Sequence, residues 1–359
     1  MKASVVIGAN YGDEGKGLMT DYLCRKHNAD VVVRFNGGGQ AGHTVVTPEG
    51  QRHVFSHIGS GYYAGVPTYL SEHFVLNPII FRSEFENLKI PNGYKIYVDN
   101  NCIVTTPWDM IANQVREEAR GNSRHGSCGV GFGTTIERNE KMPFVIGDYS
   151  LKDPIVACQY WKDMLVLPTW ASDVFNNHYN VNRKFNEDME FMFDHINFIL
   201  PKFEYAIFEG AQGLALDQFM GNFPYVTRSN TGMRNVVDMQ RKMHIDLDEI
   251  VYVSRTYETR HGADPYFGGT TTPLKGCADS TNVENDWQGV LRYKNLNYDK
   301  LYERINTDVY SNNIGRGRVK IAFTHNDQIK VNDYEAEPAL FDYNYISNGE
   351  TFKDIEEII

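Results

Sequence analysis

Two glycine-rich stretches carry the residue types that can hold phosphate and move a proton. The first is Gly8-Ala9-Asn10-Tyr11-Gly12-Asp13-Glu14-Gly15-Lys16-Gly17. Its glycines let the backbone turn sharply and bring several N–H groups onto one anion. Lys16 adds a mobile positive charge for the outer phosphates. The loop departs from G-x-x-x-x-G-K-[ST]: Gly17 stands where the magnesium-binding hydroxyl would be, and the first glycine spacing differs. It carries Asp13 instead. A carboxylate there repels a bare triphosphate, so it makes sense if it holds Mg²⁺ or takes a proton; a glycine-rich turn capped by an acid is the alternative. The second stretch is Asn36-Gly37-Gly38-Gly39-Gln40-Ala41-Gly42-His43-Thr44. His43 titrates near neutrality when unperturbed, which suits acid–base work, with a purely structural histidine as the alternative.

Both stretches need elements to position them. The run 3–7 is short, β-branched and uncharged, and reads as a buried strand; 18–25 has helical spacing, so the first loop opens a helix whose N-terminus favours phosphate. Strand-like runs recur at 30–35, 95–98, 205–208, 250–254 and 319–323. Thr106 and Pro107 start a helix that runs to about Arg120 and stops at Gly121. Residues 150–200 have helical periodicity, and their aromatics read as packing. This rhythm predicts an α/β fold, one large domain with helical and loop excursions, whose ligands bind beyond the carboxyl ends of strands. Gln212, just past the run 205–208, offers both a donor and an acceptor to a ligand. A third glycine-rich segment, 126–135, reads by itself equally as a flexible loop.

Composition narrows the classes. The 359 residues are 42% hydrophobic and 23% charged, an ordinary globule with a sizeable core. A net charge of −11 with no basic run argues against nucleic acid as a partner. Five cysteines with no C-x-x-C pair predict a reduced protein without a disulfide framework or zinc site. No apolar run approaches ~20 residues and no signal-peptide core is seen, so no membrane partner and a cytoplasmic location are expected.

The motifs together resemble a family. GDEGKG at 12–17 and GGxxAGHT at 37–44 are similar to adenylosuccinate synthetase. FEGAQG at 208–213, Pro224-Tyr225-Val226-Thr227 followed by Ser229-Asn230-Thr231, and Thr259-Arg260 followed by Gly262-Ala263 match in the same order. The short chain most resembles the phage-type branch that acts on deoxyguanylate. The resemblance implies a large, mostly parallel central sheet flanked by helices, with a P-loop-like turn after the first strand. It implies a purine nucleotide held by Asp13, Glu14, Gly15, Lys16, Gln40, Ala41, Gly42, His43, Ser127, Arg138, Gln212 and Thr227. Arg138 resembles an arginine offered across a homodimer interface to the partner's nucleotide. A nucleoside triphosphate would contact Gly12, Gly15, Lys16, Gly17, Gly42, His43 and Thr44. Its base would lie against His325, Asn326 and Asp327 and the turn Ser347-Asn348-Gly349. Mg²⁺ would sit on Asp13 and the carbonyl of Gly42.

Three departures stand out. Gly126-Ser127-Cys128 replaces the family's Thr pair and Arg. The arginine-rich loop that grips aspartate is absent, leaving Ser280, Thr281 and Asn282 as neutral donors with Arg260 or Arg292 for charge. His325 replaces a lysine beside Asp327. The resemblance implies a ligase that phosphorylates O6 of a 6-oxopurine nucleotide and lets L-aspartate displace the phosphate. Asp13 would act as base, His43 as acid and Lys16 as charge neutraliser. The departures favour dGMP with ATP or dATP. IMP with GTP, a catalytically silent nucleotide binder and a GTPase-type switch are the alternatives.

Overall fold

The computed structural model of the chain describes residues 1–151, 153–279, 281–282, 284, 287–331 and 343–358. Nine strands form one sheet. In spatial order they are Ile355–Glu357, Tyr343–Ser347, Val319–Thr324, Asp246–Arg255, Lys2–Gly8, Tyr205–Glu209, Val31–Arg34, Thr68–Leu70 and Ile96–Val98. All neighbours are parallel except the edge pair of Ile355–Glu357 with Tyr343–Ser347.

The central strand explains why its sequence is a continuous apolar run. Ala3, Val5 and Ile7 enter one core with Phe208, Met233, Val236, Leu301 and Ile305. Val6 points the other way, into a core with Met19, Leu23, Val32, Ile207 and Val251. A parallel sheet covered on both faces has no polar side to show. Each fully buried aliphatic side chain there contributes about 1.5–3 kcal/mol.

The predicted strands fall in this sheet, with 30–35 and 95–98 shortened to Val31–Arg34 and Ile96–Val98. The first helix is Lys16–His27, two residues longer at each end than its apolar spacing showed. Helix Pro107–Arg120 has the expected start and stop: Thr106 and Asp109 form a capping box and Gly121 closes it. Residues 150–200 contain the helices Ile155–Met164, Thr169–Asn176 and His178–His195, with Trp161 and Phe185 fully buried. All five cysteines are free. No helix among the described residues is long and apolar enough to cross a membrane.

The sheet brings the separated motifs together. Lys2–Gly8, Val31–Arg34, Tyr205–Glu209, Asp246–Arg255 and Val319–Thr324 are parallel, so loops 9–15, 35–42 and 210–213, Thr256 and His325 all leave from one edge. That is where an open α/β sheet binds ligands.

Candidate active site

Gly15 stands just before the first helix with φ 87°, a left-handed conformation that costs glycine little, and no side chain caps the helix. Gly17 is explained by crowding: a Cβ there would lie 2.7 Å from the Thr44 carbonyl oxygen. The P-loop hydroxyl is missing because a side chain has no room.

Three non-glycine residues at this edge also have positive φ: Asp13 (61°), Gln212 (59°) and His325 (61°). Such conformations are costly for ordinary residues and gather at functional sites. No pattern in the sequence announces them.

The edge holds two hollows. The first, here the donor cleft, is walled by the phosphate loop (Asp13, Lys16), the strand start at Gly42 and His43, and Arg255 with His325. Gly15, Gly17, Thr44, Asp327 and Gly349 also line it. Glu14 is buried and does not line it. Its carboxylate accepts from Asn10 N (3.0 Å), Gly12 N (2.8 Å) and Lys16 Nζ (2.7 Å), bracing the loop from inside. Asn326 is buried, linking Asn348 and Val331 N, and the Ser347 hydroxyl donates to Gly349 O. These two shape the turns beside the cleft.

Asp13 is half-buried, and its carboxylate has no hydrogen-bond or ion-pair partner among the described residues. Burial raises its pKa above the ordinary carboxylate value, against the pull of Arg255 and Lys16. An unpaired carboxylate in a phosphate-loop cleft is a hard oxygen donor of the kind Mg²⁺ takes, and Gly42 lines the same cleft. The donor set fits the ion.

His43 is fixed by a residue to which the sequence reading gave no role. Its Nδ1 lies 2.6 Å from Glu209 Oε1. Ser60 N and Oγ also donate to Glu209, and Arg34 Nε stands 3.8 Å from its other oxygen. Burial alone would raise the Glu209 carboxyl, but Arg34, His43 and Ser60 hold it down to about 2. Glu209 is therefore ionised and His43 Nδ1 donates to it, leaving Nε2 for a ligand. Burial pushes His43 down to about 4 despite Glu209. The ring is neutral at pH 7, so it acts as an acid only after incoming negative charge raises its proton affinity. The signal for Glu209 was its place, last in a buried strand before Gly-Ala-Gln.

The second hollow, the acceptor pocket, is lined by Gln40, Ser127, Gln212, Thr227 and Arg260 among others. Both terminal atoms of Gln40 and Oε1 of Gln212 are buried without a hydrogen-bond partner among the described residues. Ser127 Oγ accepts from Asn113 Nδ2 at 2.7 Å, which leaves its own proton to donate. Ala41 is buried behind the loop.

Several expectations are corrected. Arg138 is fully buried, away from both hollows. Its guanidinium is spent on Asp109 (2.9 Å), Val104 O (2.8 Å) and Met142 O (3.0 Å), because Asp109 must be neutralised where it caps the helix. All three of its nitrogens donate inside the core, and it lines neither hollow. Arg260 lines the acceptor pocket rather than joining Thr281 and Asn282 at the donor cleft. It donates to Tyr225 O (2.9 Å) and stacks on Tyr11, with Nε unpartnered among the described residues. Arg292 is tied to the carbonyls of Gly262 and Asp264.

Thr281 and Asn282 line the donor cleft, but their backbone N–H groups are not free. Asp279 accepts both at 2.9 Å, together with Asn282 Nδ2 (3.0 Å) and Arg255 Nη2 (2.7 Å). Ser280 lies outside the described residues. His325 is half-buried, and desolvation together with Arg255 pushes it down to about 3, so it is a neutral imidazole where the resemblance implied a lysine.

Comparison with known proteins finds one family for the chain. The adenylosuccinate synthetase family model matches residues 5–286. The enzyme of Picrophilus torridus is 33% identical over 269 residues, 72% of this chain and 63% of that protein. That of Lactobacillus acidophilus is 30% identical over 288 residues, 74% and 65%. The matched region thus spans less than two thirds of those relatives. Among solved structures, succinoaminodeoxyadenylate synthetase of cyanophage S-2L, bound to dGMP and dATP, aligns with a TM-score of 0.67 at 17% identity. It covers 99% of this chain and 95% of that one. Fully ligated adenylosuccinate synthetase of Plasmodium falciparum gives 0.68 at 17%, covering 100% of both. The sheet, the phosphate loop and the family match leave one placement: this chain belongs to the adenylosuccinate synthetase family.

Proposed function

We propose that the protein joins L-aspartate to C6 of a 6-oxopurine nucleotide, preferring dGMP, with ATP or dATP as phosphoryl donor. The products are 2-amino-2′-deoxy-N6-succinyladenylate, the nucleoside diphosphate and phosphate. The observation that carries this is the pair of adjoining hollows, one with an unpaired carboxylate on a phosphate loop, the other with unpaired amides suited to a base. Loop 35–42 serves both, with Gln40 in the acceptor pocket and Gly42 in the donor cleft.

In this reading Gln212 and Gln40 hold the purine edge and Ser127 and Thr227 the nucleotide phosphate. Asp13 takes the N1 proton, so that O6 becomes nucleophilic and attacks the γ-phosphorus; the bond from γ-phosphorus to the bridging oxygen breaks and the diphosphate leaves. Raising the Asp13 carboxyl by burial makes it a better base for that proton. His43, held by Glu209, hydrogen-bonds the transferring group through Nε2 once it is protonated, and Lys16 exchanges Glu14 for phosphate oxygens. The amino group of aspartate then attacks C6, and phosphate leaves with O6. Mg²⁺ held by Asp13 and Gly42 would neutralise charge on the phosphates.

The dGMP preference draws on the departures at 126–128, 279–282 and 325, and on the similarity in fold to the cyanophage protein solved with dGMP and dATP. The neutral His325 removes a cation beside the base, which favours a donor other than GTP. Homodimer assembly belongs to the same reading without Arg138, and sedimentation velocity tests it.

The deciding experiment is aspartate-dependent phosphate release with Mg²⁺, crossing dGMP, GMP and IMP against ATP, dATP and GTP. Turnover with dGMP and ATP is expected. Turnover confined to IMP with GTP would sink the dGMP assignment, and silence throughout would favour a nucleotide binder.

A further inference from the structure

Three cations line the donor cleft: Lys16, Arg52 and Arg255. Two are already matched. Lys16 pairs with Glu14 at 2.7 Å and Arg255 with Asp279 at 2.7 Å. Arg52 has no carboxylate partner among the described residues; its hydrogen bond goes to the neutral Thr281 hydroxyl, at 2.5 Å.

Its direction is set by the pleat. In the hairpin His43–Val46 with Arg52–Phe55, Val46 stands opposite Arg52 and Thr44 opposite Val54. Thr44, Val46 and Arg52 therefore share a face, and all three line the cleft. On the facing loop, Asp279 has already taken the N–H groups of Thr281 and Asn282. An anionic substrate group arriving there meets one uncompensated charge. A guanidinium has five N–H donors in a planar fork that suits two oxygens of a carboxylate or phosphate.

We propose that Arg52 binds a substrate oxyanion in the donor cleft, its guanidinium passing from Thr281 to the carboxylate of the amino acid or to a phosphate oxygen of the triphosphate. This rests on the reading that both substrates meet in this cleft.

Titration calorimetry on the full chain with Mg²⁺ decides it, with ATP as one probe and L-aspartate in the presence of nucleotides as the other. Arg52→Ala should weaken one of them on the order of tenfold. Loss confined to L-aspartate assigns the carboxylate, and loss confined to ATP assigns the phosphate. Arg52→Lys should recover part of the loss by restoring charge without the fork. Both affinities within twofold of wild type in Arg52→Ala would overturn the proposal. So would wild-type binding by Arg52→Gln, which keeps a donor for Thr281 and lacks the charge. Arg52 is exposed, so these variants should fold, and thermal melting checks that. Wild-type phosphate release is measured in parallel. If it is silent, the ligase reading fails while the titrations still judge Arg52.

Discussion

The two hollows are built from opposite kinds of polar surface. The donor cleft is ionic and largely self-compensated: Lys16 with Glu14, Arg255 with Asp279, His43 with Glu209. The acceptor pocket offers unpaired amides, Gln40 and Gln212 lacking partners for buried atoms among the described residues, beside the buried Arg260. At its rim Arg116 and Arg228 are tied to Glu137 and Glu140. The difference teaches how each should bind. A buried unpaired amide costs about 1–3 kcal/mol until a ligand answers it, so the acceptor pocket rewards a base with matching edges. A paired charge is already satisfied, so the donor cleft takes its ligand by exchanging one anion for another. In the proposed reaction specificity would fall to the acceptor pocket and phosphoryl transfer to the donor cleft.

The comparison breaks most sharply at Asp13. Asp13→Asn should lower aspartate-dependent phosphate release by roughly 10²–10⁴-fold while ATP binding survives calorimetry. Because burial raises this carboxyl, the acid limb of the kcat profile should lie above the ordinary carboxylate range, and activity should fall as pH drops through it.

Arg138 tests whether a charge near the acceptor side works by binding or by folding. Arg138→Met leaves Asp109 buried and unpaired, and should cost about 3–5 kcal/mol in chemical denaturation. The acceptor KM, measured where the variant is folded, should stay within twofold; a large rise would restore the cross-subunit role.

On the donor side the hairpin 43–55 leans on Glu84, which accepts from Ser56 N (2.8 Å) and His57 N (2.6 Å). Burial works to raise this carboxyl, but His53, His57 and the backbone bonds hold it down to about 2. The folded value lies below the unfolded one. Its stabilisation is therefore complete above pH ~4.5 and lost as pH falls from there toward about 2. Urea melts over that window should show Glu84→Gln losing less stability to acid than wild type, by on the order of 3 kcal/mol.

The smallest effect sharpens the acceptor side. Gln212→Asn keeps a residue that tolerates positive φ but withdraws the amide. It should weaken acceptor binding by about 1–3 kcal/mol and leave the donor KM unchanged. Equal losses for both substrates would mean that the hollows are not separate readers.

The chemistry-bearing loops were legible because phosphate cradles need glycines and catalysis needs scarce residue types. Asp13, Lys16 and His43 line the donor cleft and Gln212 the acceptor pocket. The α/β sheet was legible too, since strands buried on both faces must be apolar throughout. The Thr106 cap and Gly121 stop were legible for the same local reason.

What the sequence could not determine was which charge answers which. Arg138 looked like a ligand because a motif lay beside it, yet Asp109, 29 positions away, claims it in the core. Arg260 looked like an aspartate cation, but its strand carries it to the other hollow. Thr281 and Asn282 looked like free donors until the loop folded their N–H groups onto Asp279. Glu209 and Arg52 were given no role, since one gains it from a histidine 166 positions away and the other from having no carboxylate partner among the described residues. Glycines, caps and apolar runs are short-range constraints written in neighbouring residues. The pairing of buried charges is settled by distances of 3–4 Å that only tertiary packing creates.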